Sequence, residues 1–185
     1  YLRSLCFVLQ NAVRRIYPDK VLIINHSLPS GLYCTICEKE PLEDGRRAVH
    51  ELDDKALAEL KGEMRSIVSA DLPFTKVKME AAAAEELFLA NGQPDKAALL
   101  KSLGVLICSV YYLDGQADTF HGPLLPSTGY LKVFDLMPYG EGFCLQFPSD
   151  NDFNKVIPVR KQSRIASTLM DYADWCSIIG VNGIG

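Results

Sequence analysis

Cys34-x-x-Cys37 is the first group in this chain whose type and spacing could do chemistry, as half of a tetrahedral metal site or as a redox pair. A structural zinc needs four ligands, generally two such pairs or one pair with histidines close by, and the chain holds a single pair. The surrounding residues read as strand, where positions i and i+3 point to opposite faces. A redox pair would open a helix instead, where the dipole lowers the thiol pKa. Two buried structural cysteines are expected here, and no metal. The other cysteines, Cys6, Cys108, Cys144 and Cys176, lie scattered in apolar stretches, which fits reduced thiols and a cytoplasmic location.

The histidines are His26, His50 and His121, none paired at the four-residue spacing of a helical metal site. His26 and His121 fall on expected turns between strands, an address suited to function, and His50 falls in a polar, solvated loop. Gly180-Val-Asn-Gly-Ile-Gly185 superficially resembles a phosphate loop. It follows an expected helix rather than a strand, however, and no Gly-Lys dipeptide occurs in the chain. No Gly-x-Ser-x-Gly motif is present. The loop Gly122-Pro-Leu-Leu-Pro-Ser-Thr-Gly129 is stiff enough to present backbone amides to a ligand, or to serve as a plain connection.

The elements that must position these residues follow from periodicity. Leu2, Leu5, Leu9, Ala12 and Ile16 share one face of a helix over 2–17 that Pro18 ends. Strands are expected at 20–25 and 32–37 around a five-residue turn, then a surface loop over 38–51. Asp53 caps a helix to about residue 70, with Leu57, Leu60, Met64, Ile67 and Val68 inward. A short strand over 74–79 and helices at 80–90 and 94–103 come next. Strands follow at 105–113, 116–120, 130–136 and 143–147, the first two joined by an Asp114-Gly115 turn. Arg160–Arg164 leads into a last helix reaching about Ile179. Two blocks of strands with helices between and outside them give an α+β fold with an antiparallel sheet.

Composition bounds the function. With 19 basic against 23 acidic residues the net charge is −4, so the basic stripe of a nucleic-acid binder is not expected. No apolar run approaches the ~20 residues that cross a bilayer, and no membrane partner is expected. The chain opens on Tyr1 within a helix and stops at Gly185 just after one, which reads as a fragment of a longer protein.

Arg14-Arg-Ile-Tyr-Pro18, His26-Ser-Leu-Pro-Ser-Gly-Leu-Tyr-Cys34, Pro94-Asp-Lys-Ala-Ala-Leu-Leu100, His121–Tyr130 and Phe134-Asp-Leu-Met-Pro-Tyr-Gly140 occur in an order that resembles a known domain. It is the second additional domain of threonyl-tRNA synthetase, and more closely the copy preceding the kinase in bacterial uridine-kinase-like nucleoside kinases. The resemblance covers residues 1–152. Residues 153–185 resemble the linker and helix leading to the kinase.

In the synthetase this domain edits mischarged tRNA with a His-x-x-x-His pair on the first helix and a Cys-x-x-x-His pair on a late loop. Those positions correspond here to Arg3, Phe7, Phe120 and Leu124, which have lost that chemistry. The resemblance therefore implies a non-catalytic accessory domain, ligand-sensing or scaffolding. The fragment itself would have no catalytic residues and no cofactor, with ATP and Mg belonging to the parent's kinase domain. A residual ligand pocket would be lined by Arg3, Phe7, His26, Phe120 and His121, with Phe7 off the main buried stripe of its helix. The downstream kinase domain, a small-molecule ligand and a second copy of the chain are the partners this allows, and the acidic charge argues against tRNA. Two alternatives stay open: a deacylase using His26, His121 or Cys34, and a purely structural or oligomerisation domain.

Overall fold

Leu5, Val8, Leu9 and Ala12 are fully buried along α1 (Leu2–Ile16), with Leu2 and Ile16 only half-buried at its ends. The computed structural model describes residues 1–156 apart from 30, 44–45 and 150–151. The expected helix near Ile179, the charged run Arg160–Arg164, Cys176 and Gly180–Gly185 lie outside the described residues. The remaining elements are β1 (Lys20–Leu28), β2 (Gly31–Pro41), β3 (Arg47–Val49), α2 (Asp54–Ser69), β4 (Thr75–Glu80), α3 (Ala81–Ala90), α4 (Pro94–Leu103), β5 (Ile107–Leu113), β6 (Gln116–Thr119), β7 (Asp135–Tyr139), β8 (Gly142–Gln146), β9 (Pro148–Ser149) and β10 (Asp152–Val156). All strand pairings are antiparallel, and the fold is α+β. Among the described residues, no helix is long and apolar enough to cross a membrane.

The described residues divide into two compact units, Tyr1–Ala12 with Glu63–Lys132, and Val13–Gly62 with the described residues after Lys132. The first carries a three-stranded sheet in the order β4-β5-β6. Val110 and Ala117 of that sheet form a core with Ala84 and Phe88 of α3 and Ala97 and Leu100 of α4. Pro94 starts α4 where its missing N–H is no loss, and Gly104, at φ 60°, ends it. Asp114 and Gly115, at φ 48° and 75°, make the two-residue turn whose twist suits the β5–β6 hairpin. Asn11 Nδ2 donates to the Leu113 carbonyl at 3.1 Å.

The second unit carries a sheet in the order β1-β2-β8-β7, with β3 also paired to β2. β2 is central and its residues Gly31–Cys37 are all buried, as are Phe143–Gln146 of β8. Asp53 Oδ1 accepts the Ala56 N–H at 2.7 Å, capping α2 as expected. Leu57, Leu60, Met64, Ile67 and Val68 all turn inward along that helix.

Several expectations need correction. The first hairpin is tighter than a five-residue turn, because β1 continues to Leu28, which pairs with Gly31. His26 consequently lies within β1, not on a turn. The expected loop over 38–51 holds the end of β2 and all of β3, with Pro41 paired to Arg47. Residues 130–136 are not one strand. A single 3-10 turn at Thr128–Tyr130 precedes an irregular stretch, and β7 begins only at Asp135.

Candidate functional site

Arg3 and Phe7 stand one turn apart at the start of α1, so their side chains leave the same face. Arg3 is exposed, whereas Phe7 is fully buried, although the apolar stripe of the helix placed it off the core face. Its ring stacks on Phe74 at 6.0 Å between centroids and meets Phe120 at 5.2 Å. Phe120 in turn meets the edge of Tyr111 at 6.2 Å. Four rings drawn from α1, the residue before β4, the residue after β6, and β5 thus form one continuous cluster. Such tilted and edge contacts suit the ring quadrupoles and contribute beyond area burial. Lys76 Nζ lies 5.6 Å over the Tyr111 ring.

Tyr111 Oη donates to the Gly122 carbonyl at 3.1 Å, fixing the peptide that joins Gly122 to Pro123. Gly122 sits at φ 109°, and a Cβ there would meet the Arg3 guanidinium at 3.2 Å. Only glycine accepts both that backbone angle and a planar cation laid against it. The loop beyond is held along its length. Leu125 N–H donates to Ser4 Oγ at 2.9 Å, and Phe74 N–H donates to the Pro126 carbonyl at 3.1 Å. Thr128 Oγ1 donates to the Ile67 carbonyl at 2.8 Å and accepts from Leu72 N–H at 2.9 Å. The Asp71 carboxylate accepts from the Ser127 hydroxyl, and from Gly129 N–H at 3.0 Å.

The chemistry of this arrangement is limited. Phenyl rings neither move protons nor hold metals, and guanidinium stays protonated across the usual pH range. Leu124, at the fourth resemblance position, is a half-buried hydrocarbon. Ser127 donates to the Asp71 carboxylate, which also accepts from Gly129 N–H and so serves to hold the loop. The Cys6 thiol is pushed up to about 12, first by burial and then by the charge of Asp118, so it is no nucleophile at neutral pH. Asp118 itself is buried, pairs with Lys96 and accepts from Thr119 N–H at 2.7 Å, tying α4 to β6.

The sequence-derived candidates are placed as follows. The first unit brings Phe7 and Phe120 into ring contact and sets Arg3 against Gly122, with His121 exposed on the adjoining bend. His26 belongs to the other unit, where it pairs with Tyr33 across the β1–β2 ladder, ring to ring at 5.1 Å. Tyr33 continues to Tyr139 at 5.7 Å. His26 Nε2 is buried and has no hydrogen-bond partner among the described residues. Burial, with a smaller contribution from the charge of Glu141, raises the Tyr33 phenol and keeps it protonated.

His50 is half-buried rather than solvated, its ring against Tyr17 at 5.3 Å and its backbone N–H donating to the Ile36 carbonyl at 2.7 Å. Cys34 and Cys37 are buried in β2, their thiols 3.7 Å from the Leu32 carbonyl and 3.6 Å from Thr35 Oγ1 respectively. Phe74, Tyr111 and Ser4 build the site without having been singled out by sequence. Their signal is tertiary, carried by partners more than a hundred residues away for Ser4.

No family model matches the chain. It is 29% identical over 134 residues to the threonine–tRNA ligase of Desulfovibrio desulfuricans, a match covering 72% of this chain and 19% of that protein. Against the threonine–tRNA ligase of Desulforamulus reducens it is 30% identical over 138 residues, 74% of this chain and 20% of that one. The chain is similar to threonine–tRNA ligases. It spans about a fifth of the length of the curated relatives it matches. The resemblance to a threonyl-tRNA-synthetase-type domain therefore holds over most of the chain, and the α+β architecture agrees with it.

Proposed function

We propose that this is a non-catalytic, editing-like accessory domain in which aromatic packing has replaced a hydrolytic cleft. One observation carries the reading: Phe7, at a position where the resembling domain has a histidine, is fully buried between Phe74 and Phe120. Phe120 itself stands where that domain has its cysteine. A ring inserted at each of those positions removes the acid, the base and any metal donor together. Arg3 supplies a permanent cation instead, and Leu124 a hydrocarbon. The deacylase alternative draws no support from Cys34, whose thiol is fully buried in the central strand.

The parent is an ATP-dependent uridine-type nucleoside kinase, with residues 1–152 as the accessory module and 153–185 leading into the kinase. This rests on the ordered segments from Arg14 to Gly140, which resemble the copy of the domain found before such kinases. ATP and Mg would serve the parent's kinase domain. Within the accessory module, Arg3 and His121, both exposed beside the ring cluster, remain with Phe120 the candidates for a small-molecule contact; Phe7 is closed off by its burial, and His26 is a separate candidate in the other unit.

Two assays test the proposal. The 185-residue chain should leave the ester of mischarged tRNA intact and phosphorylate nothing. The full parent polypeptide should transfer the γ-phosphate of ATP to a nucleoside. A parent that phosphorylates no nucleoside contradicts the kinase assignment, and ester cleavage by the chain contradicts the non-catalytic one.

A further inference from the structure

The sheet of the first unit has two faces with different neighbours. Val110 and Ala117 are buried against α3 and α4. Tyr111, the next residue of β5, therefore projects from the opposite face, together with its register partners Lys76 on β4 and Asp118 on β6. Lys78, two residues further along β4, projects from that face as well, opposite Ser109. Both lysines are exposed, and neither makes an ion pair among the described residues. The Lys76 ammonium lies over the Tyr111 ring, at 5.6 Å.

Arg3 brings a third cation to the same place. Tyr111 Oη reaches the Gly122 carbonyl at 3.1 Å, and the Arg3 guanidinium packs against Gly122. Direct contacts thus run without a break from Arg3 through Gly122 and Tyr111 to Lys76. Arg3 is exposed and has no hydrogen-bond or ion-pair partner among the described residues. The backbone N–H groups of His121 and Gly122 have no acceptor among them either. Carboxylates would be expected around such cations in a chain with more acidic than basic residues. Asp118, however, is buried and bonded to Lys96 and to Thr119 N–H, and Glu80 stands at the far end of β4, two residues beyond Lys78. Among the described residues, Arg3, Lys76 and Lys78 therefore leave a local excess of positive charge on a chain of net charge −4.

We propose that this face binds a small molecule through two linked phosphate groups. The inference deepens the small-molecule contact proposed above and rests on it. A guanidinium packed on a peptide holds its N–H groups in a fixed fork, which matches two oxygens of one phosphate. The free N–H groups of His121 and Gly122 lie beside it as further donors. Lys76 and Lys78 are point charges set along one strand, suited to a second phosphate. A single carboxylate on Arg3 would leave both lysines without a counter-charge, so a diphosphate fits the set best. Free pyrophosphate and a nucleoside diphosphate share that chemistry.

Isothermal titration calorimetry on the 185-residue chain tests the proposal, with circular dichroism confirming that each variant is folded. Pyrophosphate should bind at one site per chain, and added sodium chloride should weaken it progressively. Arg3→Ala should weaken that binding roughly tenfold, through loss of the fork, and Lys76→Ala about threefold, through loss of a screened point charge. Lys101→Ala, on the helix behind the sheet, should leave the affinity unchanged. Uridine 5′-diphosphate binding more tightly than pyrophosphate assigns the site to the ester, and equal affinity assigns it to the free diphosphate. Sulfate binding as tightly as pyrophosphate overturns the two-phosphate reading. The proposal as a whole is overturned by the absence of saturable diphosphate binding at millimolar concentration, or by binding that Arg3→Ala and Lys76→Ala leave unchanged. Cleavage of mischarged tRNA by the chain, measured with no diphosphate present, would instead contradict the non-catalytic reading.

Discussion

Replacing Phe7 by alanine removes the ring that joins Phe74 to Phe120 and leaves a void at the start of α1. The side chain is fully buried, so its whole apolar surface returns to water on unfolding and none of it is exposed beforehand. Buried Phe→Ala changes cost about 3–5 kcal/mol, combining lost transfer free energy with the cavity term. Two ring contacts, at 6.0 and 5.2 Å, lie within the range where aromatic pairs add roughly 0.5–1.5 kcal/mol each. The upper half of the range is therefore expected, since Tyr111 and the Gly122 peptide fix Phe120 and limit collapse into the void. For a chain of this size that lowers Tm by about 8–20 °C. Urea titration followed by far-ultraviolet circular dichroism reads it directly. Phe7→Leu, which keeps most of the volume, should recover a large part of the loss. If Phe7 instead lined an open cleft, truncation would stay near the ~0.5 kcal/mol of an ordinary surface change, and the closed-cluster reasoning would be refuted.

Leu60→Ala should cost about 2–5 kcal/mol, as should Leu9→Ala, both measured by the same titration, because each side chain is wholly buried. Gly122→Ala should lose roughly 1–3 kcal/mol from the left-handed backbone alone, and combining it with Arg3→Ala should recover only the part due to the guanidinium contact. The Cys6 thiol is raised from 9.0 to about 12 in the folded protein. Its stabilising contribution is complete below pH 9.0 and is lost as pH rises toward 12, because the unfolded chain ionises first. Cys6→Ala should therefore flatten the alkaline fall in urea midpoint, and an unchanged slope would assign that fall to other groups.

The parts of this fold governed by local chemistry were legible in the sequence. The inward residues of α2, its Asp53 cap and the Asp114-Gly115 turn follow from spacing and from residue types that accept positive φ. What long-range bonding decides was not. Residues 130–136 alternate like a strand, yet the Thr128 hydroxyl and the Asp71 carboxylate, bonded across 56 to 61 positions, turn the chain just before them. β3 is only three residues, Arg47-Ala-Val49, too short to read as a strand on their own, and they become one because β2 offers them an edge. Phe7 illustrates the same limit within the site. The i, i+4 spacing placed it beside Arg3, but periodicity assigned it to a less buried face, and only partners 67 and 113 positions away bury it. Arg3 against Gly122 likewise depends on a backbone angle that no local pattern encodes.

The central claim is that the cleft at Arg3, Phe7, Phe120 and Leu124 no longer hydrolyses an aminoacyl ester. The most direct measurement follows release of the amino acid from a mischarged threonine-accepting tRNA with the chain in excess, against buffer alone. A variant carrying Arg3→His, Phe7→His, Phe120→Cys and Leu124→His serves as a second arm. The account predicts that the natural chain matches buffer within error, whatever the variant does. Release clearly faster than buffer, and abolished by substituting His26, His121 or Cys34, would contradict it.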